Sequence, residues 1–189
     1  AELGVRTLLN CLGPLLSPVN ARYQVVGVYD AALVNPLAGA LAELGAERAL
    51  VVHGSDGLDE ITTTGPTHAA LVDDGSVEAM TLDPVQLGLD RASIESLSGG
   101  DATENAGLLR GILAGETGPK RDIVLLNAAA ALWVAGASAS LSAGLELAAK
   151  SIESGAAAAK LAALAEATSR AGEALDAQVD EAAGRASSA

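Results

Sequence analysis

Two short apolar runs constrain this chain more than anything else in it: YQVVGVYD at 23–30 and ERALVVHG at 47–54. Each is short and built around aliphatic residues, Val25, Val26 and Val28 in the first and Ala49 to Val52 in the second, the pattern of a buried strand. Between them lies NPLAGALAELG. Asn35 can cap a helix, Pro36 suits its first position, Leu37, Leu41 and Leu44 form one stripe, and Gly45 stops it. Strand, helix and strand within about 30 residues make a βαβ unit, whose strands are parallel through a right-handed crossover.

The texture then changes. HAALVDDGSVEAMTL reads as a β-hairpin reversing at Asp73-Asp74-Gly75-Ser76, placed toward one side of the sheet. From Asp101 onward the pattern is helical. Asp101 with Glu104 three residues later is a capping-box arrangement. Pro119 opens a further helix that Gly136 closes, and its interior is apolar on every face, as for a central buried helix. Asn127 stands alone within it and is expected to bond to a backbone group. A break near Gly155 precedes an alanine-rich end. The expected fold is α/β: a mixed, mainly parallel sheet with a β-hairpin, covered by helices on both faces. The expected division is an α/β domain over 1–170 and a helical or frayed tail over 171–189.

Half of the 189 residues are apolar, so a sizeable core is available, but with no Phe it must be built from Ala, Leu, Val and Ile. The net charge is −13, from 11 basic and 24 acidic residues. That balance argues against nucleic acid and against an anionic membrane surface, both of which need clustered cations. A pyrophosphate-sized anion remains compatible with it where a divalent cation bridges the like charges. The single cysteine, Cys11, excludes an internal disulfide and fits a reducing compartment, so a cytoplasmic protein is expected. The longest apolar run is too short for a membrane span.

Chemistry concentrates after the second strand. The stretch HGSDGLDEITTTGP carries adjacent acids, Asp59 and Glu60, on a glycine-loosened loop. Ligand sites in parallel α/β sheets lie beyond the carboxyl ends of the strands, where this loop is delivered. Mg²⁺ takes hard oxygens and commonly only one or two protein carboxylates. A solvated acidic turn is the commoner fate of such a pair, and spacing alone does not decide between the two. NCLGPLLSP (10–18) holds Gly13 and Pro14, read as a turn that is either a pocket wall or a plain connector. SGGD at 98–101 precedes a helix, but Asp101 fills the anion position with its own carboxylate. His53 and His68 have no partner at zinc-ligand spacing; His53 reads as a strand end held by a hydrogen bond.

Taken together, LGVRTLLNCLGPLLSP, QVVGVYD, RALVVHGSDGLDEITTTGPT, LSGGDATENAGLLRGILAGE and GPKRDIVLLNAAAALWVAG resemble the anthranilate phosphoribosyltransferase family in order and spacing, over about residues 2–160. The resemblance implies transfer of a phosphoribosyl group from phosphoribosyl pyrophosphate to the amine of anthranilate, with Mg²⁺, in tryptophan biosynthesis. It implies that Asp59 and Glu60 bind magnesium on the pyrophosphate, and that Gly13 and Pro14 line the anthranilate side.

Departures accompany it. Leu9 stands where the family has phenylalanine, and Leu16-Ser17 where it has Thr-Asn. The family's N-terminal helical domain, its glycine-rich phosphate loop and its Lys-His-Gly-Asn segment have no counterpart in these 189 residues, and its anthranilate-contacting arginine would fall just before Ala1. The expectation is therefore a C-terminal piece, inactive or nearly so alone, of an enzyme that dimerises through the helical domain. Two rivals share the fold: a pyrimidine nucleoside phosphorylase, which the Gly-Leu-Asp-Glu run disfavours, and a non-catalytic binding member, for instance on nucleic acid, which the charge disfavours.

Overall fold

A computed structural model describes residues 12–15 and 21–187; for Leu12, Pro14 and everything beyond residue 172 it describes the backbone alone. The elements are α1 (Leu12–Leu15), β1 (Tyr23–Gly27), α2 (Val34–Glu43), β2 (Arg48–Gly54), β3 (Thr67–Asp73), β4 (Ser76–Leu82), α3 (Ile94–Leu97), α4 (Ala102–Leu113), α5 (Pro119–Val134), α6 (Leu141–Glu153) and α7 (Ala156–Ser187). No helix of the described residues is long and apolar enough to cross a membrane.

The strands form one sheet in the order β1-β2-β3-β4. β1 and β2 are parallel, with Val26 opposite Val51, and the crossover between them is α2, so the βαβ unit is as expected. β3 runs antiparallel to β2, and β4 antiparallel to β3. The mixed sheet is therefore present, but the expected preponderance of parallel pairing is not: two of the three described pairings are antiparallel. The reason is the loop after β2, which turns the chain straight back beside the strand it has just left. The hairpin then places β4 at the edge. Its turn uses Asp74 at φ 45° and Gly75 at φ 80°, the left-handed pair that a two-residue hairpin loop requires.

Burial follows the pleat of β2. Ala49 and Val51 pack with Val26, Leu37 and Leu41 on the face covered by α2. Leu50 and Val52 pack with Leu126, Ala129 and Ala130 on the face covered by α5. Helices thus cover both faces, and four consecutive residues of β2 are almost completely inaccessible. That is the reason for its unbroken apolar run.

Local details depart from expectation in three places. Asn35 caps nothing: α2 begins at Val34 after a 3₁₀ turn whose N-cap is Asp30, with Oδ1 accepting the Ala32 amide at 2.9 Å. The α5 helix opens at Pro119 as expected, but Val124 and Ala131 are exposed, lining an open groove with Leu147 and Ser151 of α6. Gly13 and Pro14 belong to the short helix α1 rather than to a turn, because Pro is tolerated in a first helical turn. Leu9, Asn10, Cys11, Leu16 and Ser17 lie outside the described residues.

Candidate functional site

The loop from Gly54 to Thr67 leaves the C-terminal end of β2 and is folded on itself by its own polar groups. Asp56 is the hub. Its Oδ1 accepts the Leu58 amide at 3.1 Å, an Asx turn, and its Oδ2 accepts the hydroxyls of Thr62 at 2.6 Å and Thr64 at 2.7 Å. Burial pushes the Asp56 carboxyl up, but the hydrogen bonds from Thr62, Thr64 and the Leu58 amide outweigh it and hold the group below the ordinary aspartate value. The Gly54 amide donates to the Leu58 carbonyl at 2.8 Å and the Ser55 amide to the Pro66 carbonyl at 3.0 Å, closing the base. Thr62, Thr63 and Thr67 are completely buried, with the Thr67 hydroxyl accepting the Thr62 amide at 3.0 Å.

Asp59 and Glu60 sit at the crest of this loop, and their backbone is fixed from two sides. Below, Gly27 at the end of β1 approaches so closely that a Cβ there would lie 1.6 Å from the Asp59 carbonyl oxygen. Behind, the carboxamide of Asn127 on α5 takes both backbone groups of Ile61: Oδ1 accepts its amide at 3.0 Å and Nδ2 donates to its carbonyl at 2.9 Å. The acids therefore stand over the carboxyl ends of both parallel strands, as the sequence placed them.

Both acid side chains are exposed, and neither takes a hydrogen bond or ion pair from the described residues. Glu60 borders an open groove of about 330 Å³ with Leu58, Ile94, Leu97, Ser98 and Ile123. Among the described residues no cluster of three or more His, Cys, Asp or Glu could cage an ion. Two unpartnered carboxylates fit Mg²⁺ in its usual mode, in which water and substrate phosphate complete the oxygen shell. Bound there, the ion would supply positive charge to an anionic ligand.

His53 and Asp101 resolve as structural. The His53 Nδ1–H donates to the Val28 carbonyl at 2.8 Å. His68 faces it across the β2–β3 register and is exposed. Asp101 forms the full capping box with Glu104 at the start of α4. The preceding segment is tied down by Lys120, whose Nζ donates to the carbonyls of Ser96 and Ser98. Gly13 is exposed, and among the described residues a Cβ there would meet nothing within 4 Å; the side chain of Pro14 lies outside the described ones.

Comparisons with known proteins identify the family. The family described as "glycosyl transferase family, a/b domain" matches residues 1–158. This chain belongs to that family. Among curated family relatives, the anthranilate phosphoribosyltransferase of Moorella thermoacetica is 52% identical over 163 residues, which is 86% of this chain and 48% of the relative. That of Rubrobacter xylanophilus is 54% identical over 162 residues, 85% of this chain and 47% of the relative. The crystal structure of the Thermus thermophilus enzyme of that name superposes with TM-score 0.72 at 45% identity, covering 82% of this chain and 45% of the other. A Saccharomyces cerevisiae enzyme of that name, in complex with PRPP and Mg, gives TM-score 0.72 at 30% identity with the same coverage. The chain spans about half the length of the curated relatives it matches.

Asn127 bonds to backbone groups as expected, but its partner escaped the sequence reading, as did the supporting residues Gly27 and Asp56. Gly27 interrupts VVGV, and a glycine inside a strand run signals close backbone approach. Asp56 opens Ser-Asp-Gly, an Asx-turn signature, and the hydroxyls that bind it lie in the Thr62–Thr64 run. The partner of Asn127 is 66 residues away in sequence, and no local pattern names it.

Proposed function

We propose that this chain is the diphosphate-metal side of an anthranilate phosphoribosyltransferase. The reaction moves a phosphoribosyl group from phosphoribosyl pyrophosphate to the amine of anthranilate, in tryptophan biosynthesis. Asp59 and Glu60 hold Mg²⁺ on the pyrophosphate, and Gly13 and Pro14 line the anthranilate side. The α/β unit extends over 1–170, with 171–189 a helical or frayed tail. The observation that carries this reading is the pair of carboxylates without a partner among the described residues, on backbone fixed over the ends of both parallel strands, in a family whose members include a PRPP- and Mg-bound enzyme.

What this chain does in the reaction is to present charge in a fixed place. Cleavage at the ribose carbon builds negative charge on the leaving diphosphate, and the loop backbone that carries both acids, held by Gly27, Asp56 and Asn127, is already in place to present them to its counterion. Phosphate-cradling backbone and cations are not evident in these 189 residues, so the same reading has them alone turn over little or not at all, with dimerisation through the segment they lack.

The test is an assay with phosphoribosyl pyrophosphate, anthranilate and Mg²⁺ on a protein of the relatives' full length that contains this chain, beside its Asp59→Asn/Glu60→Gln variant and the 189 residues alone. A loss of about a hundredfold or more in kcat/KM for the double variant is expected. Unchanged rate and unchanged Mg²⁺ dependence would overturn the metal assignment; turnover by the 189 residues at the full-length rate would overturn their inactivity.

A further inference from the structure

We propose that Asn127 is the positioning residue of the acid pair: it fixes where Asp59 and Glu60 present their carboxylates, without touching the ion or substrate itself. The inference rests on the magnesium reading above and deepens it. A primary carboxamide carries a donor and an acceptor side by side, so it can pair with a residue's N–H and C=O together, as a neighbouring strand would. Asn127 does this to Ile61, the residue that directly follows the two acids.

Its own orientation is set by a third bond, Nδ2 to the Ile123 carbonyl one turn earlier in α5, at 3.0 Å. All three partners are backbone groups, and α5 is itself packed on the sheet through Leu126, Ala129 and Ala130. Ile61 is buried in that same core. The chain thus passes from the exposed Glu60 to a pinned Ile61 in one residue, so a shift of Ile61 carries the Glu60 backbone with it. Within the described residues, no other side chain bonds to the backbone of Ile61.

Outer partners that orient ligating groups typically matter about tenfold or more in metal affinity. The inference therefore concerns ion affinity and not only folding. Mn²⁺, which shares the octahedral oxygen preference of Mg²⁺, is a suitable probe on the 189-residue chain itself. Its paramagnetism broadens the amide resonances nearest the bound ion, and the concentration giving half-broadening at Asp59, Glu60 and Ile61 reads the site directly.

Three variants are compared with the parent: Asn127→Leu, of similar size but unable to pair; Asn127→Gln, which carries the carboxamide one methylene too far; and Asp59→Asn/Glu60→Gln. The inference expects the two Asn127 variants to need several-fold to about tenfold more Mn²⁺, with thermal unfolding still cooperative. Should the leucine variant not fold, the glutamine variant carries the test. Lower melting temperature with the parental Mn²⁺ requirement would assign Asn127 a folding role only and overturn the inference. If the acid double variant broadens as the parent does, the magnesium reading fails instead. Positioning is then read from hydrogen exchange: faster exchange confined to residues 59–62 in the Asn127 variants supports it, and unchanged or uniformly faster exchange overturns it.

Discussion

Gly27 lies directly under the carbonyl of Asp59: a side-chain carbon at position 27 would sit 1.6 Å from that oxygen. The end of β1 is thus the floor on which the acid-bearing loop rests, and the two parallel strands contribute unequally to the site. β2 delivers the loop, and β1 gives up a side chain so that the loop can come down onto it.

The consequence is a prediction for Gly27→Ala. No rotamer relieves a clash between Cβ and a backbone oxygen, so the loop has to lift by more than an ångström. Overpacking of this kind costs about 1–3 kcal/mol, measurable by chemical denaturation. Because the displaced group is Asp59 itself, Mn²⁺ affinity should fall in the same variant. A variant with parental stability and parental ion affinity would show that the loop is held elsewhere.

Asp56 predicts a pH dependence. Its folded-state value is held below the ordinary aspartate value of about 3.9. A group whose value is depressed on folding contributes stability above its unfolded value and loses it as pH falls through the folded one. The difference in unfolding free energy between the parent and Asp56→Asn should therefore be flat from about pH 5 to 8 and shrink below about pH 4. Other carboxylates titrate in both proteins and cancel in the difference. A difference as large at pH 3 as at pH 7 would mean that the Asp56 charge is not what its three donors recognise.

Much of this was legible in the sequence, and the limit is physical. Continuous apolar runs, a leucine-striped helix between them and an Asp-Gly reversal specify βαβ and hairpin because they are local rules. The position of the acid pair just past the end of β2 was legible because a strand end is local too. The direction of β3 was not, since a long loop such as 55–66 can reverse the chain or cross over, and only the closure by Asp56, Thr62 and Thr64 decides it. Nor was the one-sided exposure of α5 at Val124 and Ala131, because a run of alanines has no periodicity to orient it. The Asn127–Ile61 pairing is long-range, and a lone polar residue in an apolar helix announces that it has a partner without saying which.

The last prediction concerns how α5, which carries Asn127, is anchored to the sheet. Arg48 opens β2, and its Nη1 donates to the Trp133 carbonyl at 2.9 Å near the C-terminal end of α5. A cation there meets the negative end of the helix dipole, and the guanidinium also lies over the Trp133 ring, 4.8 Å from its centroid. Asp73, paired with Arg48 in the β2–β3 register, stands 3.9 Å from its Nε. Replacing Arg48 with alanine removes the hydrogen bond and the stacked cation together, at about 1–2 kcal/mol. Arg48→Lys should recover little of this, because an ammonium cannot lie flat on the ring while donating to the carbonyl. Trp133 is the only tryptophan, so its fluorescence follows the contact directly. Arg48→Ala should shift the native-state emission and lower the denaturation midpoint. Full recovery of both by lysine would show that charge alone, without the planar fork, secures this end of the helix.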